Sequence, residues 1–153
     1  MSASAFDIAA SGMAAHRAEM DVIAENIANA GTTRVDGGGP YRERRAVIEP
    51  AEQDSFASIF DDAMSMDGDA VAPAGVRLAG IAESDAMPQY RFDPGNPFAI
   101  AAGPRRGFVA EPNVDPIEQM VSLVSTGRAY DADVAALQAA KQMDVEAIGV
   151  DGQ

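Results

Sequence analysis

The chain has 153 residues, 47% of them hydrophobic but only 6% aromatic, and its 11 Lys and Arg against 24 Asp and Glu give a formal net charge of −13. That acidity argues against a nucleic-acid footprint and disfavours a basic membrane-surface helix, since nothing could neutralise a run of phosphates. The lack of Cys excludes disulfides and thiolate-bound zinc, and the single His excludes a multi-histidine metal site.

No stretch approaches the roughly 18–20 apolar residues of a membrane span. Met1 to Asp7 has no basic region ahead of an apolar run, so a cleavable secretory signal is not expected. All nine prolines fall between Pro40 and Pro116, which predicts long helices at both ends and a turn-rich middle.

The first helix is predicted from about Ala3 to Ala30. Phe6, Met13, Met20 and Ile27 recur every seven residues, with Ala9, His16, Ile23 and Ala30 three positions further on. This is an a/d seam facing a partner helix. Ile8, Ala15 and Val22 form a weaker second stripe, whose plainer reading is that Ile8 and Val22 are isolated surface residues. Asn26 and Asn29 flank the seam; their amides either bond to a partner helix and fix register, or Asn29 caps locally and Asn26 is solvated. Gly31 is the expected stop.

In the middle, Asp36 to Pro40 reads as a turn, Tyr41–Ile48 as a strand and Ser55–Met66 as a short amphipathic helix. Asp67–Gly75 reads as an acidic loop, Val76–Glu83 and Pro88–Phe92 as strands, and a third short strand surrounds Phe108 and Val109. The last helix has an explicit start: Asp115 as N-cap, Pro116 in the first turn and Glu118 completing a capping pattern. Its seam runs through Met120, Leu123, Gly127, Tyr130, Val134 and Leu137, widened by Ile117, Val121 and Val124, and it is expected to end at Gly149.

The fold class is therefore mainly α with a small β portion. Residues 1–33 and 113–150 are expected to pair as a terminal-helix coiled coil, and 34–112 to form a partly β outer segment. That middle is too small to bury both stripes, so each helix needs neighbours beyond its own chain. The chemistry-bearing patterns are weak. Gly37-Gly38-Gly39 lacks the following Gly-Lys-Ser/Thr of a phosphate loop, and Asp61-Asp62 with Asp67-Gly68-Asp69 lacks calcium-loop spacing. With His16 inside a helix seam, no hydrolase triad is legible. Neither catalysis nor a cofactor is expected.

Phe6-Asp7-Ile8-Ala9, Ser11-Gly12-Met13 and Asn26-Ile27-Ala28-Asn29-Ala30 resemble the N-terminal signature of flagellar rod and hook axial proteins. Asn29 to Arg34 with Gly38-Gly39-Pro40-Tyr41-Arg42, then Gly75-Val76-Arg77 and Asp93-Pro94-Gly95-Asn96-Pro97, resemble the proximal-rod members of that family. So do Gly107-Phe108-Val109 and Pro112-Asn113-Val114, and Glu118-Gln119-Met120-Val121 through Arg128-Ala129-Tyr130 to Ala139-Ala140-Lys141 is similar to the family's C-terminal helix.

The resemblance implies a structural subunit of the bacterial basal-body rod, assembling through its terminal helices into the torque-transmitting drive shaft. Its implied partners are other rod proteins, copies of itself and the flagellar type III export apparatus. The implied location is the periplasmic rod, reached without a cleaved signal, with no nucleic acid and no membrane insertion. The assembly seam would comprise Phe6, Met13, Met20, Ile23, Asn26, Ile27 and Asn29 on the first helix. On the last it would comprise Met120, Leu123, Tyr130, Val134 and Leu137. The competing readings are another axial protein of the same family, or a cytosolic acidic helical adaptor or export chaperone.

Overall fold

A computed structural model describes residues 5–36, 38–51 and 75–150, with side chains to residue 146. The helix expected over 55–66 and all but the last residue of the acidic loop over 67–75 lie outside the described residues. Among the described residues there are two long helices, α1 (Ala5–Asn29) and α2 (Pro116–Val150), and four short strands. These are β1 (Arg44–Pro50), β2 (Val76–Glu83), β3 (Gln89–Phe92) and β4 (Phe108–Glu111). The chain is thus mainly helical with a small β portion.

α1 is Ala-rich and free of proline, and Asp7 in its first turn faces the positive end of the helix dipole. It stops without the left-handed glycine expected at Gly31, since that residue is not among those with positive φ. Instead Asn29 Nδ2 donates to the Glu25 carbonyl at 2.9 Å, and Thr32 donates from its backbone N to Asn29 O at 2.9 Å. These bonds engage carbonyls that a left-handed cap would otherwise serve. At the other end of the chain, Asp115 Oδ1 accepts from Ile117 N at 2.8 Å, the expected N-cap. α2 then runs to Val150, one residue past Gly149.

β1 and β2 form one two-stranded sheet, β3 and β4 another. β1 begins later than the expected Tyr41, because Tyr41 N bonds back to Thr32 O at 3.0 Å at the end of α1. β3 and β4 pair antiparallel, Tyr90 opposite Ala110 and Phe92 opposite Phe108. Gly107, at φ +81°, closes their connecting loop; a Cβ there would lie 3.0 Å from the Phe92 ring, so both backbone and space call for glycine.

The residues gather into two compact units. One comprises Met1–Arg17, Ile48–Ala79 and Arg128–Gln153; the other comprises Ala18–Val47 and Gly80–Gly127. Among the described residues of the first, the buried hydrophobic ones are Ala9, Ala15 and Ala140, all small. In the second they are Val22, Ile23, Tyr41, Val109 and Val114. Among the described residues, no helix is long and apolar enough to cross a membrane.

Candidate functional site

The most completely bonded side chain of the second unit is Asn26, which is only 1% exposed. It sits on α1 one turn after buried Ile23, so its amide points inward and must find partners there. Its Nδ2 donates to the Arg44 carbonyl at 2.8 Å and to Gln119 Oε1 at 3.0 Å. Its Oδ1 accepts from the Tyr41 hydroxyl and the Arg44 N–H, both at 2.9 Å. All four hydrogen-bonding positions of the amide are used. One residue thereby ties α1 to α2 and to the chain entering β1. Gln119 extends the network by donating to Glu43 Oε1 at 3.1 Å.

Arg44 closes this cluster on its outer side. Its guanidinium reaches Glu25 at 2.8 Å and Glu83 at 3.4 Å, and lies 5.8 Å from the Tyr41 ring centre. Burial pushes the Tyr41 hydroxyl above its ordinary value of 10.0, the Glu25 carboxylate adds to the rise, and Arg44 opposes it.

The first unit has its own junctions. Ser11 Oγ donates to Ile8 O at 2.7 Å and accepts from Val76 N at 3.1 Å, joining α1 to the start of β2. Gly75, at φ +125°, presses its backbone onto Ser11, where a side chain would collide. Gly12 leaves room for Asp133 of α2, whose Oδ2 lies 2.6 Å from where a Cβ would stand. His16 Nε2 lies 3.7 Å from the same carboxylate, at the rim of the helix contact.

The residues predicted for the seam are placed as follows. Ile23 and Asn26 are buried; Phe6, Met13, Met20, Ile27 and Asn29 are half-buried. On α2, Leu123, Tyr130, Val134 and Leu137 are half-buried, and Met120 is 53% exposed. Asn29 spends its amide on its own helix, whereas Asn26 reaches α2. Ala15 and Val22 of the weaker stripe are buried, so Val22 is not an isolated surface residue; Ile8 remains 46% exposed.

α2 buries polar Gln119 and Thr126 together with Ala140. Its most apolar face is left bare: Ile117 is 73% exposed, Val121 66% and Val124 55%. With Met120 these residues stand at i, i+3, i+4 and i+7, one continuous stripe. Gln119, Tyr41, Arg44, Ser11 and Asp133 were not legible as junction residues. The one available signal was Asn26, an amide at seam spacing that cannot be buried without partners.

The helix pair is thus joined by a polar lock and carries an exposed apolar stripe. The comparisons define the chain's class. Residues 6–34 match the family described as flagella basal body rod protein, and 105–149 match the C-terminal family of flagellar basal body rod FlgEFG proteins. Flagellar basal-body rod protein FlgC of Bacillus subtilis is 40% identical over 148 residues, 94% of each chain. FlgC of Borreliella burgdorferi is 33% identical over 149 residues, covering 96% of this chain and 95% of its own. FlgC of Salmonella typhimurium is 35% identical over 138 residues, 90% of this chain and 89% of its own. The chain belongs to the FlgC family, and with it to the structural subunits of the flagellar basal-body rod.

Proposed function

We propose that this subunit builds the proximal part of the rod by burying, against neighbouring subunits, the helical faces it cannot bury alone. The observation that carries this reading is the stripe Ile117, Met120, Val121 and Val124, apolar and exposed, beside a polar side of α2 that is already engaged. Apolar area left in water on this scale drives association at about 25 cal/mol per Å² buried. The terminal segments 1–33 and 113–150 act as the coiled-coil assembly domain, and 34–112 as the outer segment. Lateral bracing of each helix by its neighbours is what lets such a shaft carry torque.

The proposed partners are other rod proteins and further copies of this chain. The proposed destination is the periplasmic rod, reached through the type III export apparatus without a cleaved signal. Replacing the chromosomal gene with one encoding Leu137→Asp or Ile27→Asp tests the reading. The variant is expected to be synthesised, absent from purified basal bodies and non-motile; incorporation at the wild-type level with normal swimming would overturn it.

A further inference from the structure

We infer that the outer face of the β3–β4 sheet is a docking ledge for the acidic segment 52–74 of a second copy of this chain, which rests on the rod-subunit reading above. Tyr90 and Phe92 are two apart on one strand and so share a face, opposite Ala110 and Phe108. Both rings are open to water, at 38% and 63% exposure. Small Ala110 leaves the Tyr90 ring uncovered from across the sheet, and the Arg105 guanidinium lies over that ring, 4.1 Å from its centre. Phe92 is held edge-on to Phe108 with ring centres 5.2 Å apart. Arg106 is exposed in the same loop.

The ledge carries two cations at adjacent positions, Arg105 and Arg106. In a chain of net charge −13, no carboxylate among the described residues stands within ion-pair distance of Arg105 or Arg106. Arg42, Arg44, Arg45, Arg77 and Arg91 each reach one, whereas Arg17, Arg34, Arg128 and Lys141 share with Arg105 and Arg106 the lack of a carboxylate at that distance among the described residues. What sets the ledge apart is the Arg105 guanidinium laid on an open aromatic ring, 4.1 Å from its centre. A guanidinium laid on an aromatic ring keeps its edge donors free and correctly directed for a carboxylate. The surface therefore fits a ligand that is both anionic and apolar.

The chain itself encodes that ligand. Residues 52–74 hold six carboxylates and no Lys or Arg, with Phe56, Ile59, Phe60 and Met64 among them. A ledge and a complementary segment on the same polypeptide make a heterologous contact, in which each copy offers one surface and receives the other. Contacts of that kind propagate along a helical assembly rather than closing as a symmetric dimer.

The natural absence of Cys permits a direct test. Two differently tagged full-length copies are mixed, one carrying Ala102→Cys beside the ledge and the other Ala57→Cys in the acidic segment, and disulfide-linked dimers bearing both tags are counted. The inference expects a mixed dimer at low salt. It expects that yield to fall about tenfold with Arg105→Glu plus Arg106→Glu, and to recover when the partner copy carries Asp61→Arg plus Asp62→Arg. Helical circular dichroism of each variant checks that the exposed loop changes leave the fold intact.

No mixed dimer, linkage only within a chain carrying both cysteines, or a yield indifferent to charge reversal and salt would each overturn the ledge. Basal-body content of the wild-type chain, measured in parallel, separates the two readings. A chain present in basal bodies without the cross-link sinks the ledge alone, and a chain absent from them sinks the rod reading itself.

Discussion

The side-chain amides of Asn26 and Gln119 meet at 3.0 Å across 93 residues of sequence, a buried polar contact between the two terminal helices. Because Asn26 also serves Arg44 and Tyr41, its removal strands several buried groups at once rather than one. Leaving buried polar groups unpaired costs about 1–3 kcal/mol each, although the terms do not add fully. Asn26→Ala should therefore destabilise the second unit by about 2–4 kcal/mol, measured by urea denaturation. Asn26→Asp should do nearly as much harm, since a carboxylate cannot donate to Gln119 Oε1 or to the Arg44 carbonyl.

Tyr41 gives a pH signature. Its hydroxyl is held neutral by burial first and by Glu25 second. A group whose folded-state pKa is raised contributes stability in full below its unfolded value, here 10.0, and loses that contribution as pH climbs through the folded value. Thermal melts should thus show extra loss of stability above about pH 10, a loss that Tyr41→Phe removes. Phe should also lower stability at neutral pH by about 1 kcal/mol, having no hydroxyl for Asn26 Oδ1.

Gly75 and Ser11 should couple. Gly75→Ala forces a side chain into a positive-φ position and onto the Ser11 side chain. A cost of about 2 kcal/mol or more is expected. Ser11→Ala alone should cost about 1 kcal/mol, the loss of the bond from Val76 N. In the double variant the collision with Ser11 Oγ is removed, while the 3.2 Å approach to the position-11 Cβ and the positive φ remain, so the combined cost should fall short of the sum. A denaturation cycle over the four proteins reads this directly.

Much of the architecture was legible because local rules and tertiary packing agree. The capped start at Asp115-Pro116, the period-seven residues of the first helix and the strands at Val76 and Phe108 need only neighbours in sequence. Strand β1 was misplaced at its start because Tyr41 answers to Thr32 and Asn26 rather than to a strand partner. Periodicity showed where the stripes lie, but not which side of a helix its own chain would occupy. That choice rests on Asn26 and Gln119, polar residues whose burial depends on partners far away in sequence.

The exposed stripe on α2 separates stability from assembly. Val121 and Val124 face water in the single chain, so Val121→Asp and Val124→Asp should leave the unfolding free energy from urea denaturation nearly unchanged, within about 0.5 kcal/mol. In cells the same variants should reduce motility sharply and disappear from purified basal bodies. A variant that unfolds in isolation would place these residues in the chain's own core instead.

The most direct measurement uses one thiol. With no native Cys, Val121→Cys and Val124→Cys can each be labelled by a maleimide in the free subunit and again in isolated basal bodies. The stripe should react readily in the free chain, as its exposure requires, and at least about tenfold more slowly in the assembled rod. Equal reactivity in the two states would contradict the claim that neighbouring subunits cover this face.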